Sequence, residues 1–402
     1  MKKLILLLFI VTYTNYSFGQ EIMAAIESNE PDESNFSNNT ILTAEDWLHN
    51  TSHKKLTYNT AVKELLLINR YDGTLECYNL NLDRQWSFTP ADTLRLSNGG
   101  NQFFYKDGVV FTAYMTGYIY AIKATDGTLF WEDKVGMDQE KLHFTSQSLT
   151  PVNNKLVLTS RTNSNVYAIN ASNGTLAWNY SLGSPHSYEP RLIVNDIVSI
   201  NNDPLINTFE LATGKALYQK NFSTNLGKPA TDGNLIIVPF SRGDKIVGLL
   251  PEAFEQQWEF VFDEEYYKVG DKIFVANNAV YFATETNGDE SGIYCLNATD
   301  GSLTWKKTIE GDIKHFEKIN ETLYGYTNDK LIFSMATEDT VLNKIKVNHQ
   351  PSSNIQIHNG SLYFYAKEGL ITYNLKTKTE KIAIPYDGKE SYSSDTQLLF
   401  IE

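Results

Sequence analysis

Three segments of this chain repeat one another closely enough to constrain its architecture. Tyr120-Ala121 is followed by Asp126-Gly127 and Trp131, Tyr167-Ala168 by Asn173-Gly174 and Trp178, and Tyr294-Cys295 by Asp300-Gly301 and Trp305. All three obey one pattern: a small residue, five residues, glycine, three residues, tryptophan. Self-similarity at a fixed period is the mark of a repeat architecture. Weaker copies run from Thr208 through Gly214 to Tyr218, and to Trp258 with Phe254 in the glycine's place. A first copy, with Cys77 in the small position, ends at Trp86 one residue short, and two degenerate copies cover 332–343 and 370–382.

With the tryptophan position as a ruler, the units end at 86, 131, 178, 218, 258, 305, 343 and 382, in steps of 45, 47, 40, 40, 47, 38 and 39. Steps this even continue through copies that have lost the tryptophan, so the eight units are structural and the indole is only their clearest mark. In the second unit, 108–113 and 117–122 are short runs rich in β-branched and aromatic residues, separated by turn residues. Asp126-Gly127 then lies between two such runs, where a two-residue hairpin turn with both positions at positive φ is expected. The third unit dissects in the same way through 155–159, 165–169 and 175–178, giving four strands per unit.

Hydrophobic residues make up 42% of the 402, enough for a large core, yet no stretch sustains a 3.6-residue apolar period. Helix should therefore be scarce. An all-β array of four-stranded units at this spacing predicts a single eight-bladed β-propeller over 46–402, in which radial closure protects the sheet edges. Thr396 to Ile401 is one strand beyond the eight units. It is expected to pair into the first blade and close the ring.

The small-residue, glycine and tryptophan pattern resembles the PQQ-like quinoprotein repeat, across roughly residues 48–390. The resemblance implies that each tryptophan, at the end of an outer strand, docks against the neighbouring blade. It carries fold more firmly than function, because propellers of this kind serve as enzymes and as pure scaffolds. PQQ-dependent dehydrogenases would need a quinone pocket with Ca²⁺ and a catalytic carboxylate, and in the alcohol dehydrogenase type an adjacent-cysteine disulfide over the quinone. Here no two cysteines are neighbours, and the units are compact throughout. The chain is more similar to the non-enzymatic, BamB-like branch, although the lipid-attachment cysteine of that branch is missing. No cofactor is expected.

Cys77 and Cys295 occupy the small position of the first and sixth units, equivalent to Ala121 and Ala168. Equivalent positions in non-adjacent blades lie beyond the ~7 Å Cα limit for a disulfide, so two buried free thiols are expected. Among groups that carry chemistry, His143, His186, His315 and His349 each follow a unit's closing position, in segments leading into the next innermost strand. With the turns at Tyr71-Asp72, Arg242 to Asp244 and Asn328-Asp329 they form the candidate ligand face. No short histidine spacing suggests a metal site, and the acidic turns at 263–265 and 287–290 lack the alternating ligands of a Ca²⁺ loop. No hydrolase motif is present.

Residues 1–19 have the form of a secretory signal peptide: Lys2 and Lys3, an apolar run from Leu4 to Val11, then Ser17 and Gly19 before the cleavage point. That run is too short to span a bilayer, which takes about 20 residues. Residues 20–45 carry Glu21, Glu27, Glu30, Asp32 and Glu33 with no lysine or arginine, and are expected to form a flexible acidic leader. A formal charge of −14 offers no grip on a phosphate backbone, which argues against a nucleic-acid partner. The expectation is a monomeric, non-catalytic propeller of the periplasm or exterior that binds a protein or cell-envelope partner. The alternative is a PQQ-dependent dehydrogenase or a carbohydrate-active propeller enzyme.

Overall fold

Runs such as Leu65–Asn69 and Val109–Ala113 are buried at every position, whereas in Leu176–Ser181 only Trp178 is buried. A strand hidden on both faces must lie inside a stack of sheets, and one with a single buried side chain must lie at its rim. The computed structural model shows this arrangement. It describes residues 64–401 except 70–73, 91–102, 115–116, 135–148, 161–164, 183–190, 195, 203, 232, 241–244, 263–268, 270–271, 285–289, 338–340 and 387–395. The chain divides into 1–52 and 53–402, and all described residues belong to the second unit. The signal peptide and acidic leader expected at 1–45 lie outside them.

Eight four-stranded antiparallel sheets form an eight-bladed β-propeller. No helix occurs among the described residues, and so none there is long and apolar enough to cross a membrane. In the second blade the strands run Phe103–Lys106, Val109–Ala113, Tyr118–Lys123 and Leu129–Lys134, from the axis to the rim. The first strands of neighbouring blades touch one another, which places them around the axis. All eight closing positions read from the sequence fall in outermost strands.

The core is a set of apolar layers between blades. One layer joins Leu67, Cys77 and Trp86 of the first blade to Val110, Tyr120 and Ile122 of the second. Another joins Val157, Ala168 and Trp178 of the third to Val198, Ile200 and Phe209 of the fourth. The repeat pattern is the mechanism of this packing. The small residue pairs across the hairpin with the aromatic one: Cys77 with Trp86, Ala121 with Trp131, Ala168 with Trp178, Thr208 with Tyr218, Gly248 with Trp258, Cys295 with Trp305. A bulky partner there would meet the ring, since a Cβ on Gly248 would lie 2.4 Å from Trp258.

From that slot Trp86, Trp131, Trp178 and Trp258 cross to the next blade and cover the glycine of its third turn. A Cβ at Gly127 would lie 2.7 Å from Trp86, at Gly174 2.7 Å from Trp131, and at Gly214 2.5 Å from Trp178. The indole N–H donates to the carbonyl three residues before the glycine: Trp86 to Ala124 (2.9 Å), Trp131 to Ala171 (2.8 Å), Trp178 to Leu211 (2.8 Å) and Trp258 to Ala298 (2.9 Å). The N–H groups of those four receiving residues donate to their own blade's first turn, at Gly108, Asn154, Asp196 and Asn278. In these four blades one residue therefore ties turn to turn and blade to blade.

The expected two-residue turn at Asp126-Gly127 is not what forms. Gly127 N–H bonds to the Lys123 carbonyl around a four-residue loop, and of the pair only Gly127 has positive φ, at 72°. Asp126 is there for its side chain, which accepts from Thr128 N–H (2.9 Å) and Oγ1 (2.6 Å). Two-residue turns with both φ positive occur instead between first and second strands, at Asp107-Gly108, Asn277-Asn278 and Asn359-Gly360.

Closure is made by Gln397–Ile401, which pairs along Leu65–Asn69 as the innermost strand of the first blade. Amide side chains clasp it on both sides. Asn354 donates to the Leu398 carbonyl (2.9 Å) and accepts from its N–H (2.8 Å), while Gln397 does the same to Phe103 of the second blade (3.2 and 3.0 Å). Replacing Trp178 with Ala removes a buried indole and its hydrogen bond, and should cost on the order of 3 to 5 kcal/mol in denaturant unfolding. Truncation after Asp395 should lower the thermal midpoint and remove the cooperativity of the transition, because the first blade would lose its axial strand.

Candidate ligand face

Antiparallel order puts the first and third turns of every blade on one face of the ring, and the second turns and blade-to-blade connections on the other. The described candidate residues belong to the second face. His143, His186 and Arg242 lie outside the described residues, as do Tyr71-Asp72, Asp244, 263–265 and 287–289. The described candidates, His315, His349 and Asn328-Asp329, lie at the corner of the seventh and eighth blades.

His315 is not in a connecting loop as the sequence suggested, but within the innermost strand Ile313–Ile319 of the seventh blade. The preceding blade's outermost strand ends at Glu310, so only Gly311 and Asp312 remain as connection. The imidazole stacks on Tyr326 with centroids 5.5 Å apart. Its Nε2 lies 2.8 Å from Glu317 Oε1 as an ion-pair contact without hydrogen-bond geometry. The same Glu317 oxygen accepts from Ile355 N–H at 2.9 Å, which ties the seventh blade to the start of the eighth.

His349 lies in the next connection, yet its partner is at the rim rather than the axis. Glu380, in the outermost strand Thr379–Pro385, has a side chain only 3% exposed and accepts three bonds. They come from Asn348 N–H (2.7 Å), His349 N–H (3.1 Å) and the His349 ring at Nδ1 (2.5 Å). Asn328 and Asp329 form the second turn of the seventh blade. Asn328 exchanges bonds with Asp312, and the Asp329 carbonyl receives the Lys346 ammonium. Sequence reasoning missed Glu317 and Glu380. Nothing marks them locally, since their backbone partners are 38 and 31 residues away.

The arrangement braces the ring. Both carboxylates are committed to backbone N–H groups of the next blade or connection, and the two histidines sit on separate carboxylates. Among the described residues no three histidine, cysteine or acidic groups converge to hold a metal ion. The repeat aromatics Tyr120, Tyr167 and Tyr294 are 2–3% exposed and belong to the core.

Cys77 and Cys295 are free and buried in their slots. Burial pushes the Cys77 thiol up to about 12 and also raises that of Cys295. The Cys77 thiolate fraction at pH 8 is then on the order of one in ten thousand. Neither thiol should react with a soluble disulfide reagent at pH 8 in the native chain, and both should react on unfolding. Replacing Glu380 with Gln should cost about 2 kcal/mol in denaturant unfolding, because a buried carboxylate accepting three bonds becomes an amide.

The profile of the family described as outer membrane protein assembly factor BamB matches residues 61–238 and 202–341. BamB from Moraxella catarrhalis superposes with a TM-score of 0.56 at 13% identity, over 76% of this chain and 92% of that one. AztD from Citrobacter koseri gives 0.59 at 12% identity, over 84% and 98%. A quinohemoprotein alcohol dehydrogenase from Comamonas testosteroni gives 0.58 at 9% identity, over 77% and 70%. At such identities the likeness is one of fold, and it spans an assembly factor and an enzyme alike. No curated protein matches the chain.

Proposed function

The chain belongs to the PQQ-repeat propeller family of the outer membrane protein assembly factor BamB, and on that premise we propose that it is a non-catalytic scaffold of the cell envelope. Its loop face binds a protein partner. The reading is supported first by the seventh-to-eighth corner, where Glu317, Glu380 and their histidines hold the blades together instead of converging on one point. A catalytic centre needs its acid, base and ligand groups gathered about one reacting atom. A scaffold needs a surface that loses little entropy on binding. The indole crossings and amide clasps supply that stiffness, and the variable connections between blades supply specificity.

We read the leading segment 1–19 as a signal peptide, so the proposed place of action is the periplasm or exterior, and the proposed state is a monomer. The quinoprotein alternative has one support, the likeness in fold to the Comamonas enzyme. Against it, no two cysteines are adjacent in this sequence to form the disulfide that covers the quinone in enzymes of that type.

Two measurements separate these readings. Incubation with PQQ and Ca²⁺ should leave the unfolding midpoint unchanged. A ligand at a hundred times its dissociation constant would add about 2.7 kcal/mol, and such a shift would overturn the scaffold reading. Affinity capture from envelope extract without added cofactor should retain a protein partner. Removal of that partner by loop-face substitutions, with unfolding unchanged, would place the binding surface.

A further inference from the structure

We propose that the ring has one yielding seam, between its fourth and fifth blades, where the blades separate locally while the other junctions stay closed. Three contacts that hold other junctions change there together. Tyr218 stands where the third blade has Trp178, and is 44% exposed where Trp178 is 8% exposed. Phe254 stands where the neighbours have Gly214 and Gly301, and keeps the left-handed backbone at φ 52° with a side chain that disfavours it. The residue three before it is Pro251, at the position of Ala124, Ala171, Leu211 and Ala298. Proline has no N–H, so the bond those four residues make to their own blade's first turn is lost in the fifth blade. A lysine ammonium, from Lys220 to the Phe254 carbonyl at 2.7 Å, bridges the junction where an indole N–H does so elsewhere.

The seam is also weak near the axis. The innermost strand of the fifth blade is reduced to Ala230–Thr231, with Pro229 before it and an isolated bridge from Leu226 to Phe240. Opposite it the fourth blade presents Ser199, Asn201 and Thr208, all at most 3% exposed. Asn201 sets the facing, because its Nδ2 reaches the Gly227 carbonyl at 3.4 Å, and Ser199 shares its side of the strand. Ser199 Oγ and Asn201 Oδ1 are buried with no hydrogen-bond partner, a cost to the closed seam beside the apolar layer that Val194 and Ile206 make with Ile236 and Val238. Other junctions without an indole bond are braced differently: the sixth to the seventh through Asn277 with Glu321 and Ser291 with the Ile313 N–H, the seventh to the eighth through Glu317 and Glu380, the eighth to the first through Asn354 and Gln356. Tilted packing of Tyr218 and edge-on packing of Phe222 against Phe254 keep the fourth-to-fifth seam closed in the ground state.

The native thiols make the test internal. Cys77 and Cys295 occupy the small slot of the first-to-second and sixth-to-seventh junctions, and Thr208 is the same slot at the proposed seam. In a T208C variant of the full chain, the introduced thiol should be labelled by a soluble disulfide reagent under native conditions at least ~100-fold faster than Cys77 or Cys295. Adding Y218W, P251A and F254G should bring its rate towards theirs. Equal rates for all three thiols, or slower labelling of the introduced one, would overturn the proposal. Hydrogen exchange of the unsubstituted chain provides a reading independent of any variant. The amide hydrogens of Ala230, Thr231 and 236–238 should exchange at least ~10-fold faster than those of the corresponding residues Leu149, Thr150, Val152 and Lys155–Thr159 of the third blade, and equal or slower exchange would contradict the seam.

Discussion

An indole lying flat over a neighbour's glycine is the contact on which this ring depends. A propeller blade is a small sheet with two apolar faces, and it has no reason to stop at any angle to the next one unless something sets the angle. Here the outer strand sets it. Trp131 rests against Ala121 in its own hairpin, covers Gly174 in the next, and donates to the Ala171 carbonyl. The same geometry recurs from Trp86, Trp178 and Trp258. Each of these four indoles fixes distance by packing and orientation by one hydrogen bond, so at four of the eight junctions the blade is placed relative to its neighbour at the rim, where leverage is greatest.

Where the contact changes, both sides of it change. Tyr218 and Phe254 look in the sequence like unrelated flaws in two separate units, but their rings pack together, tilted, with centroids 5.4 Å apart. The glycine is needed only beneath an indole. At the ring's end the task passes to polar side chains, because the closing strand cannot rely on chain connectivity to hold its neighbours. Asn354 and Gln397 each bond both the N–H and the carbonyl of one residue in the adjoining strand, which an apolar side chain cannot do.

These two kinds of contact differ in how far they can be read from sequence. The lock joins residues at fixed offsets within a repeating unit, so eight blades, their order and the closing strand were legible before any coordinates. The turn beside the lock was misread, because Asp126-Gly127 signals a two-residue hairpin unless the Asp side chain caps Thr128 and the loop widens to four residues. The loop face was legible only as a region. Glu317 and Glu380 act on backbone groups more than thirty residues away, and a carboxylate that accepts from backbone imposes no residue type on its partner. His349 was singled out as an ionisable group, whereas its place in the structure follows from Glu380.

The central claim is that the third-turn glycines are required by the indole above them and not merely by their backbone angle. Gly174 and Gly360 separate the two causes, since their φ angles are 80° and 70°, but a Cβ would meet Trp131 at 2.7 Å in the first and nothing within 4 Å in the second. Alanine at either position incurs the left-handed strain of about 1 to 2 kcal/mol. Denaturant unfolding of Gly174→Ala should show a further loss of about 1 to 3 kcal/mol over Gly360→Ala, and the excess should vanish when Trp131 is also replaced with Ala. Equal losses at the two glycines, or an excess that survives removal of the indole, would contradict the account.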